Sequence, residues 1–393
     1  MPAPSALKAR ATAAIEANRD EILALSRAIH ADPEPAFEEH RAAGRVAEAI
    51  AAHGYAVELP AGRLATAVRG RLTGGLGPTG PRIGVLAEYD ALPGLGHGCG
   101  HNTMAASGVG AAIALAAVRD AFAGEIVFLG TPAEERGSGK QFMLDDGLFE
   151  GVDAALLFHP ADRDMVNCTL LASEDVDVTF LGKAAHAASE PWEGRNALDA
   201  VVLLFQAIGL WRQQLPPHAR VHGIILEGGT AANIIPDRAT ARFMIRSTDQ
   251  AYFASMRVRF EALVEGAAMM AGVHGEPAFS GGSTTMKDSR TLARLWRANL
   301  EAKGRVDEGV DPEHIGSSDM GNVSLVLPTI HPSLAICDHS VPWHSIESLR
   351  AAATPRAETT TLVAAALVAE TALDLLADPA LVAEAWREFR GGG

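Results

Sequence analysis

Three short stretches carry residue types that can bind a cation and move a proton. His97-Gly98-Cys99-Gly100-His101-Asn102 follows an apolar run that reads as a strand and precedes a helical pattern. Thiolate and imidazole bind borderline metals, and flanking glycines let a loop fold closely around an ion. Taken alone, the motif also reads as a glycine-rich turn with incidental His and Cys. Glu134 and Glu135, in Gly130-Thr-Pro-Ala-Glu-Glu-Arg136, close the next strand. Adjacent carboxylates can divide labour, one ligating a cation while the other handles the proton of an activated water, although a solvated acidic turn looks the same. His159-Pro160 ends the strand after that, where a lone histidine is more often structural. Coincidence gives the three their weight: successive parallel strands each end in a metal-capable group on one edge of one sheet.

The elements that hold them form an α/β alternation: strand 83–87, helix 105–119, strand 125–129, helix 141–149, strand 154–158. Runs such as Ile126-Val-Phe-Leu129 are short and continuous, as parallel strands buried on both faces require. Upstream, helical spacing covers 6–29 and 38–52, the second closed by Gly54. Strands at 64–72 and 82–89 flank Gly75-Leu-Gly77-Pro-Thr-Gly80, formally a dinucleotide fingerprint. Two prolines and a following strand deny it the helix that motif needs, so it reads as a hairpin loop. From about Glu174 the rhythm changes to strand 176–181, helix 196–215, strands 221–226 and 240–246, and helix 250–271, an inserted α+β unit. After about Ser283 come a helix at 288–303, a strand at 325–327 and helices from 346 onward. The expected division is 1–172 with 285–393 as one discontinuous domain and 173–284 as the insert.

Composition narrows the function classes. The chain has 393 residues, 48% of them hydrophobic, and a net charge of −15. No Lys/Arg cluster offers the basic stripe that nucleic-acid binding needs, and no unbroken run of about 18 apolar residues argues for membrane insertion. Cys99, Cys168 and Cys337 are too few and too odd for a disulfide framework. The N-terminal stretch mixes charges into an Ala-rich pattern without the apolar core of a signal peptide, so a cytoplasmic location is expected.

Seven motifs in order, Asp90-Ala-Leu-Pro, His97-Gly-Cys-Gly-His, Gly130-Thr-Pro-Ala-Glu-Glu, His159-Pro, Lys183-Ala-Ala-His186-Ala, Gly229-Thr-Ala-Ala-Asn233-Ile-Ile-Pro-Asp237 and Gly316-Ser-Ser-Asp319, resemble metallopeptidase family 20, the two-metal aminoacylase/carboxypeptidase family. The Cys-bearing branch includes amidohydrolases of N-acyl and aminobenzoyl amino acids and dipeptidase-like members with Asn after the second His, as Asn102 stands here. The resemblance implies an α/β catalytic domain with a mainly parallel sheet and an inserted lid or dimerisation domain. It implies two divalent ions, zinc foremost, with manganese or cobalt as alternatives. Cys99 would bridge them, His101 and His159 would complete one site, and Glu135 with a late histidine the other. His344, followed by Ser345, is preferred over His339 on spacing, with His331 close by.

Further roles follow from the same resemblance. Glu134 would be the general base, and Asp90 would orient a ligand. The usual branch of the family has His two residues before that Asp; here the position is Glu88, so the ligand count rests on Cys99 and His101. His186 would stabilise the oxyanion, Asn233 and Ser317 would contact substrate, and a homodimer is implied through the lid. The expected reaction is hydrolysis of a small N-acyl amino acid or dipeptide, with hydrolytic deamination by the same water, or a non-catalytic binder on the same fold, as rivals. Gly137-Ser-Gly-Lys140 lacks the pattern of a phosphate loop, and Cys168 and Cys337 read as packed thiols.

Overall fold

The computed structural model describes residues 3–310 and 315–391. The chain divides into two compact units, Met1–Thr169 with Met286–His314 and Asp319–Gly393, and Leu170–Thr285 with Ile315–Ser318. In chain order the first unit begins with α1 (Ser5–Ala17), α2 (Arg19–Ala31), α3 (His40–Ala52), β1 (Ala56–Glu58), β2 (Val68–Thr73) and β3 (Arg82–Glu88). It continues through α4 (His101–Ala117), β4 (Glu125–Thr131), α5 (Gly139–Asp145), β5 (Ala154–Leu156) and β6 (His159–Ala161). The second unit holds β7 (Ala172–Leu181), α6 (Ala197–Trp211), β8 (Ala219–Glu227), β9 (Arg238–Ser247), α7 (Gln250–Ala271) and β10 (His274–Ser283). The first resumes with α8 (Arg290–Ala302), α9 (Met320–Ser324), β11 (Thr329–Ile330), β12 (Ser333–Ala335), α10 (Ile346–Ala351), α11 (Pro355–Ala377) and α12 (Pro379–Gly391).

The six strands of the main sheet run in the order β1-β2-β4-β3-β5-β11. β3 pairs in parallel with both β4 and β5, and β11 in parallel with β5. β2 joins β4 antiparallel and β1 extends that edge. The expected hairpin between β2 and β3 is therefore wrong, because β4 lies between them. The glycine-rich loop after β2 is instead hydrogen-bonded to the segment ahead of β4: Gly74 N donates to Gly124 O and Leu76 N to Phe122 O. Three other expectations change. Asn18 breaks the first helix into α1 and α2, donating from its side chain to Ala14 O at 2.8 Å. Residues 325–327 turn out of α9, and the strand there is β11. β10, not expected at all, carries Gly275, Pro277, Gly281 and Gly282, which hide a strand pattern.

The core of the first unit is built on α4, Ala- and Gly-rich and buried from His101 through Leu115. Small side chains let it pack closely against β3, α2 and α11. Pro355–Ala377 is long and apolar enough by composition to cross a membrane, yet 89% of its apolar window is buried in this core. A core helix passes the same test, and burial explains its composition.

Away from the sheet edge, Asp288 accepts from Asn167 Nδ2 at 3.1 Å and Cys168 N at 3.2 Å, but its Oδ1 is buried without a hydrogen-bond partner among the described residues. Burial raises it from 3.8 to about 6. The folded state thus binds this proton more tightly than the unfolded chain, so its stabilising effect is full below pH ~3.8 and is lost as the pH rises through about 6. The shift corresponds to up to about 3 kcal/mol. Asp288→Asn should flatten that part of the stability–pH curve; parallel curves for the two proteins in chemical denaturation would refute it.

The second unit is an antiparallel sheet in the order β10-β7-β9-β8 with α6 and α7 packed on one face. β7 and β9 alternate buried and less buried residues, as a sheet covered on one side requires. Phe180, Phe243, Phe260 and Val264 fill the space beneath the helices.

Candidate metal centre

β3, β4 and β5 end side by side, and each loop beyond them brings one part of the cluster. After β3 the chain turns through Asp90 and the glycine-rich loop to Gly100, which caps α4 at φ 79°. A Cβ at Gly100 would lie 2.8 Å from Pro160 Cγ, so only glycine lets Cys99 and His101 approach the β6 strand. After β4, Ala133 adopts φ 60° immediately before Glu134 and Glu135. After β5, His159 opens β6, which pairs in parallel with β12.

These side chains converge. Ligand atoms of Cys99, His101 and His159 lie within 4.8 Å of one another, as do those of Cys99, Glu135 and His344, and those of Glu88, His101 and Glu134. Cys99 Sγ is 3.5 Å from His159 Nε2, and His344 Nε2 is 3.9 Å from Glu135 Oε2. His101 presents Nε2 3.3 Å from Glu88 Oε2 and 3.8 Å from Glu134 Oε2. Its other nitrogen is 3.0 Å from Asp90 Oδ1, and Asp90 Oδ2 accepts Glu135 N at 2.9 Å. Asp90 thus fixes the ring of one candidate ligand and the backbone of another.

The donor set fits divalent cations. Among the described residues, His101 Nε2, Glu135 Oε1 and Glu88 Oε2 are buried polar atoms without a hydrogen-bond partner, and buried polar groups are ordinarily satisfied. Burial pushes the Cys99 thiol and the Glu134 and Glu135 carboxyls up. Such a crowd of desolvated acids gains most from a cation, which reverses that direction. Burial, with His331 and His101 nearby, holds His159 down at about 3, leaving the neutral imidazole that a metal requires.

Beneath the cluster lies a charged group that sequence reading missed. Lys140 Nζ donates to Glu88 Oε1 at 2.5 Å and Asp319 Oδ1 at 2.6 Å, all three fully buried. Burial alone would raise Glu88, but Lys140, followed by His101, outweighs it and holds the carboxylate down at about 2. Lys140 had read only as part of a failed phosphate loop, and nothing in its local sequence marks it as buried. Glu88, expected to stand outside the ligand set, instead points its free oxygen at His101.

Among the late histidines the structure separates three environments. His344 joins Cys99 and Glu135, at φ 58°. His339 Nε2 lies 3.4 Å from Glu308, and buried His331 sits edge-on to His159 with Nδ1 3.0 Å from Leu157 O. Asn102 is spent on structure, donating to Ser26 Oγ and Ala352 O. His186, Asn233 and Ser317 belong to the second unit and are exposed. There His186 and Ile234 form a β-bridge and Ala187 N donates to Asn233 O at 3.1 Å, so His186 and Asn233 are neighbours. His186 Nδ1 accepts from Ala188 N and Ser189 N, both at 3.2 Å, which places the ring proton on Nε2.

The chain is 37% identical over 98% of its length to the Xaa-Arg dipeptidase of Mus musculus, covering 92% of that protein. It is 35% identical over 71% of its length to one of the chains of the p-aminobenzoyl-glutamate hydrolase of Escherichia coli, covering 62% of it. Among solved structures, a dinuclear metal-binding peptidase of Bacillus subtilis superposes with TM-score 0.71 at 20% identity, over 92% of this chain and 99% of the other. Residues 84–337, which span every strand-end motif of the cluster but His344, match the model of peptidase family M20/M25/M40, and this chain belongs to that family.

Proposed function

We propose that this hydrolase cleaves the amide bond of a dipeptide or small N-acyl amino acid with two divalent ions held by Cys99, His101, Glu135, His159 and His344. One observation carries the reading: Cys99 joins two ligand groups, one with His101 and His159 and one with Glu135 and His344, which together make up the proposed ligand set. The relatives named a Xaa-Arg dipeptidase and an aminobenzoyl-glutamate hydrolase support a substrate with a free carboxylate beside the scissile amide. When bound, the ions supply Lewis-acid polarisation of the carbonyl and a water acidic enough to ionise near neutral pH. Glu134 takes the proton of the attacking water; the water oxygen bonds to the carbonyl carbon, the C–N bond breaks, and Glu134 returns the proton to the leaving nitrogen. His186 Nε2 donates to the carbonyl oxygen as charge develops there, and Asn233 and Ser317 contact the substrate.

Zinc is the proposed metal, since thiolate and imidazole donors favour it, with manganese or cobalt as the alternatives. A homodimer is proposed through the second unit, where β8 ends the sheet with Ile224, Ile225 and Leu226 at 61%, 48% and 50% exposure, an apolar edge that a second copy would cover. Three free cysteines fit a reducing, cytoplasmic setting.

The test is metal content with turnover. The purified, metal-replete protein should hold two ions per chain and cleave members of a panel of Xaa-Arg dipeptides and acyl-amino acids, whereas Cys99→Ala should lose metal and turnover together. Full metal content and activity in Cys99→Ala would refute the shared ligand.

A further inference from the structure

The segment 34–39, just ahead of α3, ties together the two turns that carry the candidate chemistry. Ala91 N, one residue past Asp90, donates to Glu34 O at 2.9 Å. Ala133 N, one residue before Glu134, donates to Glu39 Oε1 at 2.9 Å. Glu39 is fully buried, and both of its carboxylate oxygens are engaged: Oε1 also accepts Phe37 N at 2.9 Å and Oε2 accepts Thr66 Oγ1 at 2.9 Å. It belongs to none of the metal-capable groups found among the described residues.

Its partner sits at a strained point. Ala133 is held at φ 60°, the left-handed region that an alanine rarely adopts and that persists only where the surroundings enforce it. The enforcing contact on the N-terminal side is the Glu39 carboxylate. On the C-terminal side Asp90 Oδ2 accepts Glu135 N at 2.9 Å, and Gly139 N donates to Ala133 O at 3.2 Å. The pair Glu134-Glu135 is therefore clamped at both ends, by different carboxylates. Shape agrees with the hydrogen bonds: Phe37 packs over Gly137, where a Cβ would come within 2.4 Å of its ring. Without the Glu39 acceptor, Ala133 N would be buried and unpaired, and its peptide would be free to rotate to the commoner regions, turning Glu134 with it.

We propose that Glu39 is a positioning residue that, through the Ala133 peptide, aims Glu134 at the reacting centre. The proposal rests on the reading of Glu134 as the base. Because Glu135 is pinned separately by Asp90, loss of Glu39 should disturb proton transfer and spare the metals.

Glu39→Ala should lower kcat about 10- to 100-fold, the scale on which misplacing a reacting group by about 1 Å acts. KM should change less than about twofold, the scale of unaltered binding, and metal content should be unchanged. Glu39→Gln should restore most of kcat, since its amide oxygen accepts both N–H groups while the Thr66 hydroxyl turns to accept from its NH₂. If Glu39→Ala does not fold, Glu39→Asp keeps a buried acid but withdraws the acceptor from Ala133, and the same loss of kcat is expected. Steady-state kinetics and metal analysis on all variants decide. A kcat for both Glu39→Ala and Glu39→Asp near that of the unaltered enzyme, a Glu39→Gln enzyme as impaired as Glu39→Ala, or metal lost along with kcat would each overturn the proposal. Glu134→Gln, run alongside, separates the failures: if it stays active the base assignment is wrong, and if it is inactive while the Glu39 variants are unimpaired, only the role of Glu39 falls.

Discussion

Glu134→Gln is expected to keep its metals and lose turnover by about 10²- to 10⁴-fold, the range for removal of a general base. The two adjacent glutamates are held differently, and this supports the proposed division of roles. Glu135 has its backbone fixed by Asp90 and its carboxylate grouped with Cys99 and His344, and its Oε1 is buried without a hydrogen-bond partner among the described residues. Such a carboxylate fits the proposed ligand role. Glu134 Oε2 lies 3.8 Å from His101 Nε2, and Glu134 groups with Glu88 and His101 rather than with Cys99 and His344. Glutamine matches its shape and leaves the packing intact, but cannot accept and return a proton. Glu135→Gln should behave oppositely, losing metal first. Turnover in Glu134→Gln comparable to the unaltered enzyme, or equal loss of metal in both variants, would sink the assignment.

The strand-end logic explains why much of this centre is legible in the sequence. Three buried parallel strands announce themselves as short apolar runs, and their C-terminal ends must lie on one edge, so Cys99, His101, Glu134, Glu135 and His159 could be gathered from spacing and resemblance. What stayed hidden depends on pairing across the chain. Whether β2 neighbours β3 or β4 is set by which strand fills the gap, and a glycine-rich loop fits either answer. Lys140, Asp319 and Glu88 are far apart in sequence, and although Asp319 and Glu88 stand in resembling motifs, only the fold closes them with Lys140 into a buried group. Glu39 is hidden for the same reason, since its partner Ala133 lies 94 positions away. β10 escaped because three glycines and a proline erase the alternation by which strands are recognised. His344 could be ranked above His339 by spacing alone, but its grouping with Cys99 needs the turn at φ 58° that no pattern encodes.

His186→Ala is expected to reduce kcat by about 10²- to 10³-fold with metals retained, the usual consequence of removing one oxyanion donor. The geometry within the second unit is compatible with the proposed role: two backbone N–H groups engage Nδ1, so the ring stays in the tautomer that carries its proton on Nε2, and the side chain is exposed beside Asn233. A donor fixed in advance stabilises developing charge without reorganising when the charge appears. If the second unit forms the dimer through its β8 edge, one protomer could lend His186 to its partner's centre. Mixing inactive His186→Ala with inactive Glu134→Gln under conditions that exchange protomers then gives mixed dimers in which one centre has both an intact Glu134 and an intact His186. At equal proportions half the dimers are mixed, so about a quarter of full activity should return. No recovery despite demonstrated exchange would place His186 in its own chain's centre. Full activity in His186→Ala alone would remove it from the reaction and leave the developing oxyanion to the ions and the remaining donors.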